Sequence, residues 1–410
     1  ENLRLLQPDF FAKGYEYNAD NIHPKTAEEM EVVQGYGGEM IFTPGDIVYS
    51  STKLINLAPP SIKYEKLITA MERGGVTFDD LRATLAGMRS KTVHVVGDTI
   101  VDSLTTCAMI GGQTKTPTMS VLYENRKDFV GGAGIVAKHI RAAGAKVVFT
   151  TVMGDDALRE FAIEDLQRAG VELHVQVDKT RPTTNKNAIV VGGYRLLKVD
   201  TLDNRSIGNE IVASITKDIS SVQSDALVLS DFRHGIFNRR TIPDILASIP
   251  SGRFRVADSQ VASRWGNITD FKGFDLITPN EREARFALAD QESPLRLLAS
   301  TLYDAAQCKT LMLKLGDRGV LTCISPDHEA TNSFFTIDSF AENVVDAVGS
   351  GDGLLAYGTL ALLVSGSSFQ ATILGSMAAA CVCERDGNLP VSPEDVAAKI
   401  DKVEKSVQFA

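Results

Sequence analysis

The chain has 410 residues, 44% of them hydrophobic, so its length allows more than one domain and a large core. Its formal net charge of −10 argues against non-specific nucleic-acid binding, although a local basic pocket is compatible with it. No apolar run reaches the ~18–20 residues of a membrane span, and no signal peptide is visible. Five scattered cysteines are typical of reduced thiols, and we expect a cytoplasmic protein that does not enter the membrane.

Residues 1–57 contain too few elements for a complete domain. The pattern predicts a strand over residues 8–14, which are Pro-Asp-Phe-Phe-Ala-Lys-Gly, a second strand over residues 39–43 and a short helix beginning at Tyr49. Such a two-stranded piece is not expected to be stable alone. Residues 8–14 and the Ser-Ser-Thr segment at 50–52 resemble the C-terminal half of a cytidylyltransferase-type nucleotidyltransferase domain. None of the six histidines forms the His-x-Gly-His motif of the other half, so we expect a partial domain without nucleotidyl transfer.

Residues 58–90 are a predicted helical connector. Apolar residues recur at helical spacing on an intermittent face, and the pair Gly74-Gly75 divides the segment into two helices. Over residues 91–410 predicted strands and helices alternate. Alternation of this kind indicates an α/β fold with a doubly wound, mainly parallel sheet.

Two aspartates follow the first predicted strand of this α/β domain, residues 93–96. Asp98 and Asp102 leave the carboxyl end of the strand, which is the edge where doubly wound sheets bind ligands. Both are candidates to accept hydrogen bonds from the hydroxyl groups of a substrate. The alternative is that each aspartate caps a turn.

Residues 104–130 are rich in threonine, and their alternating apolar residues predict short strands that project from the main sheet. Gly131 and Gly132 then begin a predicted helix that runs to about Gly144. Without side chains, these two glycines allow a substrate to approach the backbone closely.

Three further charged residues are candidates for the substrate site. Lys186 and Arg195 belong to predicted strands between residues 185 and 200, and Asp231 leaves a buried strand on the ligand edge. The alternative for the two basic residues is solvated charge on strand edges. His234 lies at the turn that follows and is more typical of a structural histidine.

Asn280 and Glu283 are three residues apart at a predicted helix start, and hence on one face of the helix. A carboxylate with water ligands suits Mg²⁺. The alternative is a capping box, in which the two side chains bind only helix N–H groups. Residues 311–319 then predict a strand, a turn and a second strand, with Lys314, Gly316 and Gly319 at the turn.

Gly349, Ser350 and Gly351 precede an apolar run over residues 354–364 that predicts a buried helix. Small residues leave backbone N–H groups free to surround an anion, here at the positive end of that helix. Asp352 falls in the first turn, where a carboxylate is placed to accept a proton from a hydroxyl. The alternative is a glycine-rich turn with aspartate as a helix cap.

Three blocks of the chain resemble, in order, the motifs of the ribokinase-like (PfkB) carbohydrate kinases. They are residues 131–137, the Asn-x-x-Glu pair at 280–283, and the Asp-x-x-Gly-Ser-Gly-Asp run at 346–352. The resemblance covers about residues 91–403 and implies a ribokinase-like fold with a small β lid over about residues 104–130. The chain has no Gly-Lys dipeptide, which excludes the rival P-loop design for binding ATP.

The resemblance implies roles for the candidate residues. Asp352 is the base that activates a sugar hydroxyl, and the amides of residues 349–351 form the anion hole. Asn280 and Glu283 place Mg²⁺ and its waters against the phosphates of ATP, and the turn at 314–319 lies under the nucleotide. Asp102 binds the sugar, and Asp346 is a candidate ligand for a monovalent cation such as K⁺. The lid implies a homodimer.

Residues 181–200 and 226–235 resemble the heptose-phosphate kinase branch of the same family. This resemblance implies that Lys186 and Arg195 hold a phosphate already on the substrate. Together with the nucleotidyltransferase-like segment, it makes D-glycero-D-manno-heptose 7-phosphate 1-kinase the sharpest hypothesis. Ile135 stands where the family has asparagine, and His234 where the branch has lysine. Both differences keep two alternatives open, namely a kinase for another sugar and a kinase-like scaffold without turnover.

Overall fold

The structure, a computed structural model, describes residues 2–14, 24–43, 62–111, 118–261, 268–325, 327 and 330–408. The chain divides into two compact units, Glu1–Ser61 and Ile62–Ala410. The helix predicted to begin at Tyr49 and the Ser-Ser-Thr segment at 50–52 lie outside the described residues. Within the ranges given, no helix is both long and apolar enough to cross a membrane.

The first unit contains two helices and two strands among its described residues. They are α1 (Asn2–Leu6), β1 (Phe10–Gly14), α2 (Pro24–Gly35) and β2 (Glu39–Thr43). The strands pair in parallel, with Phe10 opposite Glu39. Both strands fall within the segments for which the sequence predicts them.

The second unit is built on a nine-stranded sheet. Its strands are β3 (Thr92–Gly97), β6 (Lys146–Met153), β7 (Glu172–Val177), β10 (Ala226–Asp231), β11 (Phe254–Ser259), β12 (Leu276–Ile277), β13 (Leu311–Lys314), β14 (Val320–Cys323) and β15 (Phe334–Ile337). The spatial order is β7-β6-β3-β10-β11-β12-β13-β14-β15. The first seven in this order are parallel, and β14 and β15 continue the sheet in antiparallel pairing.

Helices cover both faces of this sheet. One face carries α3 (Ile62–Gly74), α4 (Phe78–Gly87), α5 (Ala133–Ala142), α6 (Ala157–Arg168), α11 (Ser350–Ser365), α12 (Ser368–Cys383) and α13 (Pro393–Gln408). The other face carries α7 (Asn209–Ser221), α8 (Ile242–Ala247), α9 (Glu281–Leu288) and α10 (Leu295–Ala306). The result is a three-layer, doubly wound α/β unit.

The strand sequences account for this layering. Ala226 and Val228 of β10 belong to the first core, whereas Leu227 and Leu229 belong to the second. Successive side chains of a strand point to opposite faces, so a strand covered on both sides must be apolar at nearly every position. The burial of all six residues of β10 follows from this requirement.

The predicted connector contributes to the core of the second unit. Leu67 of α3 and Leu81 of α4 are buried in the same cluster as α12 and α13. Thr77 and Asp80 form a capping box at the start of α4, and the Arg73 guanidinium donates to the carbonyl of Phe334 at 2.9 Å. The apolar face of these helices is therefore used to cover the sheet.

A second, four-stranded sheet projects from the first. Its strands are β4 (Thr99–Gly111), β5 (Ser120–Gly132), β8 (Asn185–Val191) and β9 (Tyr194–Thr201), in the order β5-β4-β8-β9. β4 runs antiparallel to β5 and parallel to β8, and β8 runs antiparallel to β9. The lid predicted over residues 104–130 therefore corresponds to two of the four strands, β4 and β5. Residues 185–201 supply the other two, β8 and β9.

Two buried histidines predict how the stability of the fold depends on pH. Burial lowers the pKa of His94 and of His139 to about 3. The unfolded chain binds these protons near pH 6.5, whereas the folded chain does not, so the free energy of unfolding should fall as the pH decreases from about 6.5. Each histidine contributes a slope of up to about 1.4 kcal/mol per pH unit. Urea unfolding at pH 7.5, 6.5 and 5.5 measures this slope.

The variant His139→Gln isolates one histidine. The His139 ring accepts a hydrogen bond from the amide of Val391 at 3.1 Å, and a glutamine carbonyl preserves that bond without titrating. We expect the variant to flatten the dependence of unfolding free energy on pH. Equal slopes for the wild type and His139→Gln would contradict the assignment.

Candidate active site

The glycine-rich turn before α11 adopts a conformation that glycine alone adopts easily. Gly349 has φ +82° and occupies the N-cap position of the helix. A side chain there would also collide, because a Cβ built on Gly349 lies 2.4 Å from Asn388 Oδ1. The amides of Asp352 and Gly353 donate to the carbonyl of Gly349, each at 3.0 Å. The helix α11 therefore begins at the predicted position, with Asp352 in its first turn.

Asp352 is a buried carboxyl group in an acidic surrounding. Only 9% of the residue is exposed to solvent. Burial, together with the nearby charge of Asp258, raises the pKa of Asp352 to about 8, although Lys314 opposes the shift. A carboxylate with this proton affinity is suited to take a proton from a hydroxyl at neutral pH.

Lys314 and Asp258 form an ion pair beside Asp352. Asp258 is the last residue but one of β11, and Lys314 is the last residue of β13. The Lys314 Nζ lies 2.9 Å from Asp258 Oδ1, and the two side chains are 16% and 3% exposed. The hydroxyl of Thr278 donates to the same oxygen at 2.8 Å. Burial disfavours the charged form of Lys314, but the carboxylates of Asp258 and Glu283 raise its pKa above the usual value.

Asn280 and Glu283 form a capping box at the start of α9. The Glu283 amide donates to Asn280 Oδ1 at 2.8 Å, and the Asn280 amide donates to Glu283 Oε2 at 2.7 Å. The structure therefore has the contacts of the capping alternative, and the role of this pair toward Mg²⁺ stays a prediction. Burial raises the pKa of Glu283 to about 7, with Lys314 opposing and Asp258 adding to the shift.

No group of three or more histidine, cysteine or acidic side chains in the described ranges is arranged to hold a metal ion directly. A single buried carboxylate suits Mg²⁺ bound through water and through the phosphates of a nucleotide. Glu283 is a buried carboxylate whose Oε2 atom accepts from the Asn280 amide. The residues therefore fit the predicted water-mediated site.

The turn after β13 borders a cavity of about 280 Å³. Gly316 and Gly319 have φ values of +66° and +85°, and a Cβ built on Gly319 lies 2.1 Å from the carbonyl oxygen of Ile337. The cavity connects this turn to the start of α11, since Lys314, Gly351 and Cys383 also line it. The cavity therefore lies beside the Gly349–Gly351 turn, and a nucleotide in it stays a prediction.

Asp102 and Lys186 lie side by side in the lid sheet. Their strands, β4 and β8, pair with Asp102 opposite Lys186. Burial raises the pKa of Asp102, with Lys186 opposing the shift, and burial lowers the pKa of Lys186, with Asp102 opposing it. A Cβ built on Gly131 lies 2.1 Å from Asp102 Oδ2, so the glycine permits this approach.

Asn388 joins the lid to the anion-hole loop. Its Nδ2 lies 3.4 Å from a Cβ built on Gly131, and its Oδ1 lies against Gly349. The residue is 7% exposed, and Oδ1 has no hydrogen-bond partner within the described ranges. Its position between two predicted substrate loops makes Asn388 a candidate site residue that the sequence analysis missed.

Asp98 and Asp231 both accept hydrogen bonds from backbone amides of the turn that follows β10. Asp98 Oδ2 accepts from the amides of Phe232 and His234 at 2.9 and 3.2 Å. Asp231 accepts from the Arg233 amide at 2.8 Å and from the hydroxyl of Ser259 at 2.7 Å. For Asp98 these are turn-holding contacts of the kind that the alternative described, and contact with a substrate stays a prediction for both residues.

His234 is held in a neutral form beside Lys186. Its Nδ1 lies 2.8 Å from Asn204 Oδ1, and burial lowers the pKa of the ring to about 3, with the charge of Lys186 adding to the shift. Gly132, with φ +62°, allows a close approach to the carbonyl of Asp98. Ile135, at the departure from the family motif, is fully buried.

Arg195 and Asp346 bind each other. Arg195 Nη2 lies 3.2 Å from Asp346 Oδ2, with the two side chains 62% and 23% exposed. The other oxygen, Asp346 Oδ1, accepts from the amide of Val348 at 3.1 Å. In this structure the predicted phosphate-binding residue and the predicted cation ligand are therefore partners, and their separate ligands stay predictions.

The comparisons with known proteins place the chain among the carbohydrate kinases. The family described as "pfkB family carbohydrate kinase" matches residues 90–395, and the chain belongs to this family. The predicted family is thereby confirmed, and the chain is a carbohydrate kinase.

Solved structures confirm the ribokinase-like α/β fold. Phosphofructokinase-2 from Escherichia coli in complex with potassium is similar with a TM-score of 0.63 at 15% identity, over 77% of this chain and 99% of that chain. Ribokinase from Thermotoga maritima is similar with a TM-score of 0.59 at 21% identity, over 76% of this chain and 99% of that chain.

Curated relatives carry the description "Bifunctional protein HldE". The protein from Bradyrhizobium sp. (strain ORS 278) is 25% identical over 334 residues, which are 79% of this chain and 65% of the relative. The protein from Desulfatibacillum aliphaticivorans is 27% identical over 317 residues, which are 75% of this chain and 63% of the relative. The match thus spans less than two thirds of the length of these relatives.

Substitution of Gly349 tests the geometry of the anion-hole turn. Gly349→Ala adds both a strained backbone and the collision with Asn388, whereas Gly366→Ala, at φ +67° with open space around it, adds backbone strain alone. Left-handed backbone costs about 1–2 kcal/mol for alanine, so we expect Gly366→Ala to lose that amount and Gly349→Ala to lose more. Urea unfolding measures both.

The double variant Gly349→Ala/Asn388→Ala removes the colliding side chain. We expect it to recover the part of the loss in unfolding free energy that exceeds the loss in Gly366→Ala. An equal loss in the two single variants, or no recovery in the double variant, would contradict the contact between Gly349 and Asn388.

Proposed function

We propose that the chain transfers the terminal phosphoryl group of ATP to a hydroxyl of a sugar phosphate, with D-glycero-D-manno-heptose 7-phosphate, phosphorylated at C1, as the best candidate. The observation that carries the reaction type is the position of buried Asp352 in the first turn of α11, directly after the Gly349–Gly351 turn. The heptose assignment is supported by relatives described as HldE and by the resemblance of residues 181–200 and 226–235 to the heptose-phosphate kinases.

In the proposed reaction Asp352 acts as the general base. Its carboxylate accepts the proton of the acceptor hydroxyl while that oxygen bonds to the phosphorus atom and the bond from phosphorus to the leaving oxygen of ADP breaks. Amides at the start of α11 stabilise the charge on the transferring phosphoryl group. Glu283 would hold Mg²⁺ through water, and the ion would supply positive charge that offsets the charge of the phosphates. Burial of the site excludes water that would otherwise accept the phosphoryl group.

The lid carries the proposed substrate contacts. Asp102 is placed to accept from a sugar hydroxyl, and Lys186 in the neighbouring strand is placed to hold the phosphate that the substrate carries. Asn388 contacts the Gly131 and Gly349 loops and so lies between sugar and anion hole. Arg195 joins the phosphate site only when it leaves Asp346, and a role for K⁺ at Asp346 requires the same change.

A kinase for a different sugar is the second candidate function. It is favoured by the buried Ile135 and by the neutral His234 beside Lys186, because a neutral imidazole brings no positive charge to an anionic substrate. Release of ADP from Mg·ATP with hexoses, heptoses and their terminal phosphates separates the candidates. Turnover confined to heptose 7-phosphate supports the first, and turnover with another sugar supports the second. No turnover, with ATP still bound, favours a scaffold.

Asp352→Asn tests the base. We expect kcat to fall by about 10²–10⁴-fold, since an amide cannot accept the proton, while ATP binding measured by calorimetry changes little. Asp79→Asn, also in the first turn of a helix and 93% exposed, is the matched control and should retain kcat. Retained turnover in Asp352→Asn would remove the assigned base.

The pH dependence of kcat/KM provides an independent measurement. A base with a raised pKa is protonated and inactive at low pH, so kcat/KM for the sugar should rise with pH and level off above about 8. A profile already level at pH 6 would contradict Asp352 as a base with a raised pKa.

We propose a homodimer formed through the lid. Large apolar side chains are exposed on its strands, including Leu122 at 57%, Tyr123 at 62%, Tyr194 at 81% and Leu197 at 58%. Exposed apolar clusters of this kind mark interaction surfaces. We expect Leu122→Asp/Leu197→Asp to elute as a monomer where the wild type is a dimer in light scattering, and Leu297→Asp on α10 to leave the dimer intact. A monomeric wild type would overturn this assembly.

A further inference from the structure

The lysine at the end of β13 is held at both its backbone and its ammonium group. The Lys314 amide donates to the carbonyl of Pro279 at 2.9 Å, and Lys314 bridges Asn280 in the sheet. At the other end of the side chain, Asp258 Oδ1 accepts from Nζ at 2.9 Å. Backbone and ammonium group are therefore both held, and the side chain has little freedom.

The held side chain lies against the anion-hole loop. A Cβ built on Gly351 lies 3.3 Å from Lys314 Nζ and 3.6 Å from its Cδ. Gly349, two residues earlier, faces Asn388 in the same way. The loop is therefore flanked by an ammonium group at one glycine and by an amide at the other, so a phosphoryl group at the loop meets both.

Charge in this region favours a cation that binds an incoming anion. Asp258, Glu283 and Asp352 surround Lys314, and each raises the pKa of its ammonium group against the opposing effect of burial. The phosphates of a nucleotide would enter beside three carboxylates, and a fixed positive charge offsets that repulsion. An ammonium group has three donors, and Asp258 occupies one of them.

We propose that Lys314 is a catalytic residue that donates to the transferring phosphoryl group from the side of Gly351, and that Asp258 and Thr278 are positioning residues for its ammonium group. The inference rests on the proposed kinase reaction. Lys314 keeps its proton throughout, while the acceptor proton goes to Asp352. Thr278 acts through Asp258, whose Oδ1 accepts both from the threonine hydroxyl at 2.8 Å and from Lys314.

Nucleotide affinity distinguishes this role from a purely structural ion pair. A residue that contacts the terminal phosphoryl group should contribute to the affinity for a non-hydrolysable ATP analogue and not to the affinity for ADP. In calorimetric titrations, we expect Lys314→Met to lower the affinity for the analogue more than tenfold and the affinity for ADP less than about threefold. The reason is that only the analogue presents the group that Lys314 binds. Equal weakening of both nucleotides would overturn the inference.

Turnover provides the second measurement. With the accepted sugar, Lys314→Met should lower kcat by about 10²–10³-fold, the usual cost of removing one donor from a developing charge, and Lys314→Arg should recover at least tenfold. Lys309→Met, at a lysine 77% exposed and paired with Asp275, is the matched control and should retain kcat. Full turnover in Lys314→Met would overturn the inference.

Two further variants guard against misfolding and test the positioning residues. Lys314→Met leaves Asp258 buried without its cation, so Lys314→Met/Asp258→Asn removes both charges and should show the same selective loss of the ATP analogue with a melting temperature near that of the wild type. Thr278→Val should lower kcat and should weaken binding of the ATP analogue more than binding of ADP, and an unchanged kcat would overturn its positioning role.

The two readouts separate this inference from the proposed function. The affinity difference between the ATP analogue and ADP needs no sugar. If the wild type phosphorylates no sugar in the panel, the proposed function fails while the test of Lys314 remains decisive. If the wild type turns over and Lys314→Met does so equally well, the inference about Lys314 fails alone.

Discussion

Desolvation of acidic side chains at one sheet edge is the constraint on which the site depends. Asp258, Glu283 and Asp352 are all less than 10% exposed, and water cannot screen their repulsion there. The positive charge of Lys314 offsets part of this repulsion, since its ammonium group pairs directly with Asp258. The same desolvation raises the proton affinity of Asp352. Stability and reactivity of the site thus have one physical origin.

The main sheet and the lid divide the chemistry between them. The carboxyl ends of β11 and β13, with the start of α11, hold the proposed base, the ammonium group of Lys314 and the proposed anion hole. The lid strands β4 and β8 hold Asp102 and Lys186. Asn388 touches loops of both parts. The main sheet therefore holds the groups proposed to react, and the lid holds the groups proposed to contact the substrate.

Local features were predictable from the sequence, and features that depend on strand order were not. The turn at Gly349, the start of α11 and the capping residues Asn280 and Glu283 lie within short segments whose residues determine the backbone. Lys314 and Asp258 are 56 residues apart in the sequence. They meet because their strands, β13 and β11, lie on either side of the short β12. The β4–β8 pairing that completes the lid is equally non-local. Asn388 lies in a loop with no periodic pattern to mark it.

The ion pair between Arg195 and Asp346 has a consequence for the coupling between two bound ligands. It links lid strand β9 to the loop before α11, and an exposed pair of this kind contributes only about 0–1 kcal/mol. An anion that takes the guanidinium frees the carboxylate, and a cation that takes the carboxylate frees the guanidinium. If the proposed anion and cation bind there, occupancy of either place favours occupancy of the other. The free energy of this coupling is small and decreases as ionic strength rises.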